Sequence, residues 1–271
     1  MKTTVRLRVL IAVLTLTAGL GTAACDLNIG GGDFSIGVVS GKATDEWSRS
    51  YTLAEGARFE VVNVNGMVSV EQGEGPAVEV RAERIAKAAS DEAAKELLAK
   101  VEIAETKTAD GVKLETKTPR NLGRGGVEVK YYVRVPAGVR VAAATTNGGI
   151  KLAGLSDAVV ASTVNGGVEG DALAGAVDVS TTNGGIDLRL TRVVEGGVKA
   201  ETVNGGVAVS IPRDARADVS AHVVNGGLSV GDLPVQTVGA QNRRRLEGKL
   251  NGGGPRIQLG AVNGGVQLAG Q

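Results

Sequence analysis

The sequence predicts an all-β chain built as a single-stranded, parallel β-solenoid, and three observations predict it. First, an Asn-Gly-Gly phrase recurs at Asn147, Asn165, Asn183, Asn204, Asn225, Asn251 and Asn263, with successive spacings of 18, 18, 21, 21, 26 and 12 residues. A period of about twenty residues belongs to stacked repeats, in which each unit buries its apolar face only against its neighbours. Second, the residues flanking each phrase alternate between apolar and polar, the period of a strand. Third, the same residue types return at the same offsets in copy after copy, as expected when equivalent positions stack in parallel register about 4.8 Å apart.

The columns can be read directly. Six residues before the Asn stand Val141, Val159, Val177, Val198 and Val219; four before it Ala143, Ala161, Val179, Ala200 and Ala221. Two before it come Thr145, Thr163, Thr181, Thr202 and Val223, while Ile150, Val168, Ile186, Val207 and Leu228 lie three after it. These positions are expected to face inward. Asn-Gly is also the strongest short signal for a type I′ hairpin, so a meander of hairpins competes with the solenoid at any single turn. The recurrence of whole columns favours stacking. In either case the turns at Asn147, Asn165, Asn183, Asn204, Asn225 and Asn263 are expected to use positive φ, which Asn and Gly tolerate. Stacked asparagines can then bond along the axis as a ladder.

The array reads as regular over about 139–230. The Asn251 copy breaks the columns, because Arg245, Glu247 and Arg256 fall where Val, Ala and Leu are expected. Ile257, Leu259 and Ala261 restore the pattern for Asn263, and 38 residues separate it from Asn225. Residues 240–271 therefore read as an irregular end, with Arg243, Arg244 and Arg245 in a solvated loop.

Before the array, Phe59, Val61, Asn65-Gly66, Val68 and Val70 form a degenerate first copy, and residues 77–85, 112–117 and 127–135 alternate as strands. Ser90-Asp91-Glu92 opens the one helix, expected over 90–100, with a capping serine, acidic residues in its first turn and Asp91/Lys95 and Glu96/Lys100 pairs. Such a helix suits the capping of a solenoid end, which would otherwise offer an open strand. One domain is expected over 44–271.

At the start of the chain, Lys2, Arg6 and Arg8 precede an apolar run over 9–20 too short to span a bilayer as a helix, the pattern of an export signal. It closes on Thr22-Ala23-Ala24-Cys25, and Cys25 is the only cysteine. This segment resembles the lipobox of bacterial lipoproteins, with Thr22 where that family usually places an aliphatic residue. The resemblance implies a signal peptide over 1–24, lipidation of Cys25 and covalent attachment to a membrane, inner or outer. Residues 25–43, with Gly30, Gly31, Gly32, Gly37 and Gly41, then read as a tether. Loss of 1–24 leaves 27 basic residues against 29 acidic ones, so a basic surface cannot do the anchoring.

Balanced charge also argues against nucleic acid as a partner. Chemistry is sparse. His222 is the only histidine and falls at an outward position, with no second His or Cys to complete a metal site. No cofactor motif is present, and the glycine-rich turns precede no helix that would hold a phosphate. The sharpest cluster is the column four after the Asn, where Lys151, Glu169 and Asp187 are expected on consecutive rungs with Asp171 nearby. Paired carboxylates of this kind serve β-helical enzymes acting on polysaccharides, but a solvated charge ladder explains them as well. The column one before the Asn, Thr146, Val164, Thr182, Val203 and Val224, is the candidate binding face.

The stretches VRVPAGVRVAAATTNGGI at 133–150 and LNGGGPRIQLGAVNGGV at 250–266, with the recurring TVNGGV, resemble a bacterial family of repeat domains named for candidate adhesins and for a toast rack of stacked rungs. The resemblance covers most of 50–271. It implies a single-stranded β-solenoid on an exported or membrane-attached protein and supplies no reaction or cofactor; with so little chemistry in the sequence, a non-enzymatic module that binds an envelope glycan or a surface protein is the expected function. A polysaccharide-active enzyme and a purely architectural spacer are the alternatives.

Overall fold

The computed structural model describes residues 40–122, 124–238 and 242–271. The signal segment, Cys25 and the tether up to residue 39 lie outside the described residues. In chain order, β1 (Gly41–Thr52) leads to β2 (Arg58–Val62), β3 (Val68–Gln72) and β4 (Ala77–Ala88). Helix α1 (Asp91–Leu98) follows, then β5 (Glu102–Thr108), β6 (Gly111–Lys117) and β7 (Gly126–Val135). The Asn-Gly-Gly corners join β8 (Arg140–Asn147) to β9 (Ile150–Ala153), β10 (Val159–Asn165) to β11 (Val168–Leu173), β12 (Val177–Asn183) to β13 (Ile186–Leu190), and β14 (Val198–Asn204) to β15 (Val207–Ile211). They also join β16 (Ala217–Asn225) to β17 (Leu228–Val230) and, after β18 (Val235–Thr237) and β19 (Arg245–Leu250), β20 (Arg256–Asn263) to β21 (Val266–Gly270).

The described residues are all-β apart from one helix, and the array strands pair in parallel. The strand before each corner lies in an 11-stranded sheet, and the strand after it in a facing 10-stranded sheet. No corner closes a hairpin. Val159 pairs with Val141 and Val177, and Asn165 with Asn147 and Asn183, so like residues stack rung on rung. The inward columns are buried: Val159, Ala161, Val168, Val179 and Ile186 are all nearly inaccessible to water. Small β-branched and aliphatic side chains fill the narrow space between the sheets, and the dispersion contacts of each rung are made with its two neighbours.

Two polar ladders run beside this core. Each Asn of a regular corner donates its side-chain amide to the Oδ1 of the Asn on the adjacent rung, at 2.6 Å from Asn147 to Asn65, 2.7 Å from Asn165 to Asn147 and 2.9 Å from Asn183 to Asn165. From rung to rung, Thr163, Thr181 and Thr202 donate to the carbonyls of Gly148, Gly166 and Gly184 of the preceding rung. These hydroxyls are buried, and the carbonyls they meet satisfy them.

The corners differ from expectation in their backbone. Among the described residues only Ala172 and Asn251 have positive φ without being glycine, so the regular corner asparagines stay extended. The first glycine of the corner carries the positive φ, 156° at Gly148, 157° at Gly166 and 152° at Gly205, and it is required for a second reason as well. A Cβ at Gly148, Gly166 or Gly205 would lie about 2 Å from the carbonyl oxygen of the preceding rung's glycine, so rung spacing excludes a side chain there.

Rung order also departs from chain order at both ends. The strands β2 and β3 lie between the β6/β7 rung and the β8/β9 rung. At the other end, β20 and β21 do not form an irregular tail, as the broken columns at Asn251 suggest. They form a regular rung inserted between Asn204 and Asn225: Asn263 pairs with both, and the amide ladder runs from Asn225 through Asn263 to Asn204 at 2.9 and 2.8 Å. The physical reason is the turn at 251–255. Asn251, Gly252 and Gly253 adopt φ of 49°, 88° and 87°, which reverses the chain from antiparallel β19 into the open slot. A terminal strand held on both sides leaves no end to fray.

Antiparallel strands close the stack: β1 and β4 beside β7, β5 beside β6, and β19 with β18 beside β16. Ser90 caps α1 by accepting from Ala93 N, and the helix packs on β1 and β4 with Ala94, Leu97 and Leu98 buried, one turn shorter than 90–100. Strand β1 begins at Gly41, inside the segment read as tether. Gly41 pairs with Ala88, and a Cβ there would meet the Ser90 backbone at 2.0 Å, so this glycine serves close packing instead of flexibility.

Candidate binding face

The outward side of the 11-stranded sheet carries the candidate column. Burial alternates along each strand, with Thr163 inward and Val164 outward, and likewise Thr202 and Val203. Insertion of the last rung adds Val262 between Val203 and Val224, a member that chain order hides. In spatial order the row reads Thr146, Val164, Thr182, Val203, Val262, Val224. The large exposed hydrophobic residues among those described are Val164, Val203, Val224, Val262 and Val238, and the first four, 39–50% exposed, all belong to this row. The asparagine ladder borders it.

Three residues before each Asn, the same face presents Ala144, Ser162, Ser180, Glu201, Gly260 and His222. Five before it come Asp178, Lys199 and Gln258. Glu201 is held from two sides: Gln258 Nε2 donates to Oε1 at 2.9 Å, and Lys199 Nζ lies 3.1 Å from Oε2. Lys199 also reaches Asp178 at 3.9 Å. Burial raises the Asp178 carboxyl above the usual carboxylate range, against the pull of Lys199 and with the push of Glu201. Burial alone would lower Lys199, but its bond to Glu201 and the charge of Asp178 raise it. A groove of about 370 Å³ opens here, lined by Ser180, Thr182, Glu201, Val203, His222 and Val262 among others.

The plus-four column lies on the opposite sheet, and the structure does bring its members together. Glu169 is in register with Lys151 and Asp187. Lys151 Nζ is 3.3 Å from Glu169, and Arg189 is 3.6 Å from Asp171 on the neighbouring strand, all well exposed. This is a solvated ladder of mixed charge. No group of three or more His, Cys, Asp or Glu with metal-holding geometry occurs among the described residues.

A larger concavity, about 660 Å³, lies on the outer face of β1, β4, β7 and β3. Nothing in the repeat pattern points to it. Its arginines are matched within the fold: Arg134 bonds Glu71 at 2.7 Å, Arg81 lies 4.3 Å over the Tyr132 ring and pairs with Glu46, and Arg49 bonds Glu105. Glu105 also accepts from Tyr51 Oη at 2.8 Å. Burial pushes Glu105 up, but the bonds from Tyr51 and Arg49 outweigh it and hold the carboxyl below the ordinary glutamate range. Burial drives the Tyr51 phenol well above its usual value. These groups tie the edge of one sheet to the edge of the other and close the end of the core.

No curated protein matches the chain significantly. Among solved structures, a protein described as a candidate cell adhesion protein from Clostridium sporogenes aligns at 12% identity with a TM-score of 0.47, over 84% of this chain and 100% of that one. Candidate adhesins from Bacteroides fragilis and Parabacteroides distasonis align at 11% and 10% identity with TM-scores of 0.29 and 0.24. They cover 84% and 86% of this chain and 97% and 98% of their own. None of them brings a ligand or a partner to this chain. The model of one sequence family, described as Toastrack DUF4097, matches residues 18–269, and the chain belongs to that family.

Proposed function

We propose that the chain is a non-enzymatic binding module of the cell envelope, which displays the Thr146 to Val224 row as a flat, repeating face to an envelope glycan or a surface protein. The observation that carries this reading is that four of the five large exposed hydrophobic side chains among the described residues, Val164, Val203, Val262 and Val224, stand in one row on one sheet, with Thr182 between the first two. Scattered exposed valines are ordinary, whereas an aligned row bordered by amides and hydroxyls is the composition of a recognition surface. Rigidity supports it, because a preformed face loses little entropy on binding.

Changing Val164, Thr182 and Val203 together to Lys is expected to abolish saturable capture of envelope components by the purified protein while leaving its melting temperature within a few degrees. Capture that survives this change would remove the row from the binding function. We further propose that Cys25 carries the lipid that holds the module at a membrane. Cys25→Ser is expected to move the protein from the membrane fraction to the soluble fraction, and continued sedimentation with membranes would rule that anchor out.

A further inference from the structure

We infer that the binding face has a centre, the groove over Gly260, and that its ligand is a neutral, extended oligosaccharide. The inference rests on the binding-face reading above and names the ligand class for it.

Gly260 is the break in the ladder. The first glycine of each regular corner is forced by the approach of a neighbouring backbone, but the atoms nearest a Cβ at Gly260 would all belong to the His222 imidazole, Cε1 at 2.6 Å and Nε2 at 2.9 Å. Its φ lies outside the left-handed range. Backbone conformation and rung spacing therefore leave this position free to carry a side chain. What glycine provides is room, and His222, its cross-strand partner, lies in that room. The imidazole is thus laid across the sheet beside Glu201, whose carboxylate is fixed by Lys199 and Gln258. An ionised carboxylate has about four lone-pair sites, so two such contacts leave acceptor capacity for a ligand.

The chemistry of the groove selects among ligands. Strands β12, β14, β20 and β16 each have a hydrogen-bonded neighbour on both sides, so an extended peptide finds no free backbone to pair with. Recognition must come from side chains alone. Beside the groove Asp178 and Glu201 outnumber Lys199, and Arg245 beyond His222 is paired with Glu247 at 2.6 Å, which disfavours an anionic polymer there. Ser180, Glu201 and His222 supply donors and acceptors, while Val203 and Val262 supply methyl groups. A pyranose ring has the matching halves: a rim of hydroxyls and an apolar C–H face. Rungs spaced about 4.8 Å apart repeat at close to the length of one such residue, so a linear glycan running along the axis can meet successive rungs in the same way.

His222 is the only histidine, so its imidazole gives a single, assignable NMR resonance in the full-length protein prepared without a histidine tag. Cellohexaose and chitohexaose are the probes, with hexagalacturonate as the anionic counterpart. The expected result is a saturable shift of the His222 resonance with a neutral hexasaccharide, and a Kd raised roughly tenfold or more by Gly260→Val or His222→Ala. Gly260→Val fills the groove at a position where only a movable side chain must yield, so folding is expected to survive and is checked by the melt. Binding unchanged in both variants but lost on charging Val164, Thr182 and Val203 would overturn the groove and leave the binding face standing. Preference for hexagalacturonate, or capture of envelope protein with no response to any saccharide at millimolar concentration, would overturn the ligand class alone. Absence of binding to saccharides and envelope fractions together would overturn both.

Discussion

Gly184→Val is expected to be among the most damaging single substitutions in the array. A Cβ at Gly184 would lie 1.9 Å from the Gly166 carbonyl oxygen and 2.4 Å from its carbon, both backbone atoms of the preceding rung. No rotamer relieves such a clash. The rungs must separate locally, which breaks the Gly166 N to Asn183 O bond, 2.9 Å in the native state, and the Thr181 bond to the Gly166 carbonyl. Overpacking alone costs about 1–3 kcal/mol. With the lost hydrogen bonds, a total of roughly 3–5 kcal/mol is expected, the range of exceptional point mutants. For a domain of this size that is a fall in Tm on the order of 10 °C. Gly185→Ala is the control. Its Cβ would sit 3.6 Å from the Gly206 oxygen, an ordinary contact, so a change within about 1 kcal/mol is expected. Thermal unfolding followed by circular dichroism separates the two. Equal effects would mean that the first glycine is not chosen by rung spacing.

Deletion of residues 256–271 is expected to prevent the native fold. Removing the last rung of an ordinary solenoid costs one interface and leaves the remainder intact. Here the last segment of the chain occupies an interior slot, so its removal costs two. Strands β14 and β16 lose a shared partner, as do β15 and β17. Five buried side chains go with it: Ile257, Leu259, Ala261, Val266 and Leu268. At about 1.5–3 kcal/mol for each larger one, the loss is on the order of 10 kcal/mol, comparable to the whole stability of a domain. The asparagine ladder is cut between Asn204 and Asn225, and two strand edges open to other molecules. The truncated chain is expected to aggregate or to lose its cooperative melt. A soluble, cooperative truncated protein with the Tm of the full chain would show that Asn225 can pair directly with Asn204 and that the inserted rung is dispensable.

What could be read from the sequence was whatever repeats. Local alternation fixes which side chains point inward, and stacking in register turns that alternation into columns, so the Val, Ala and Thr positions and the outward Thr146, Val164, Thr182, Val203 and Val224 follow from offsets alone. Ser90 and the acidic first turn mark α1 for the same reason: their effect is local. The corner glycines were legible in identity but only partly in cause: Gly148, Gly166 and Gly205 take the positive φ expected of the turn, whereas the constraint at Gly184 is a carbonyl of another rung and not its own φ. Tertiary structure decided the order of the rungs. Asn263 fits the slot beside Asn204 as well as a place beyond Asn225, and parallel pairing of near-identical repeats is degenerate in local terms. The turn at Asn251 to Pro255 and the antiparallel pairing of β19 with β16 break that degeneracy. They also place Val262 in the exposed row and Gly260 beneath His222, two neighbours that lie 38 residues apart in the chain and meet only because the last rung closes inside the stack.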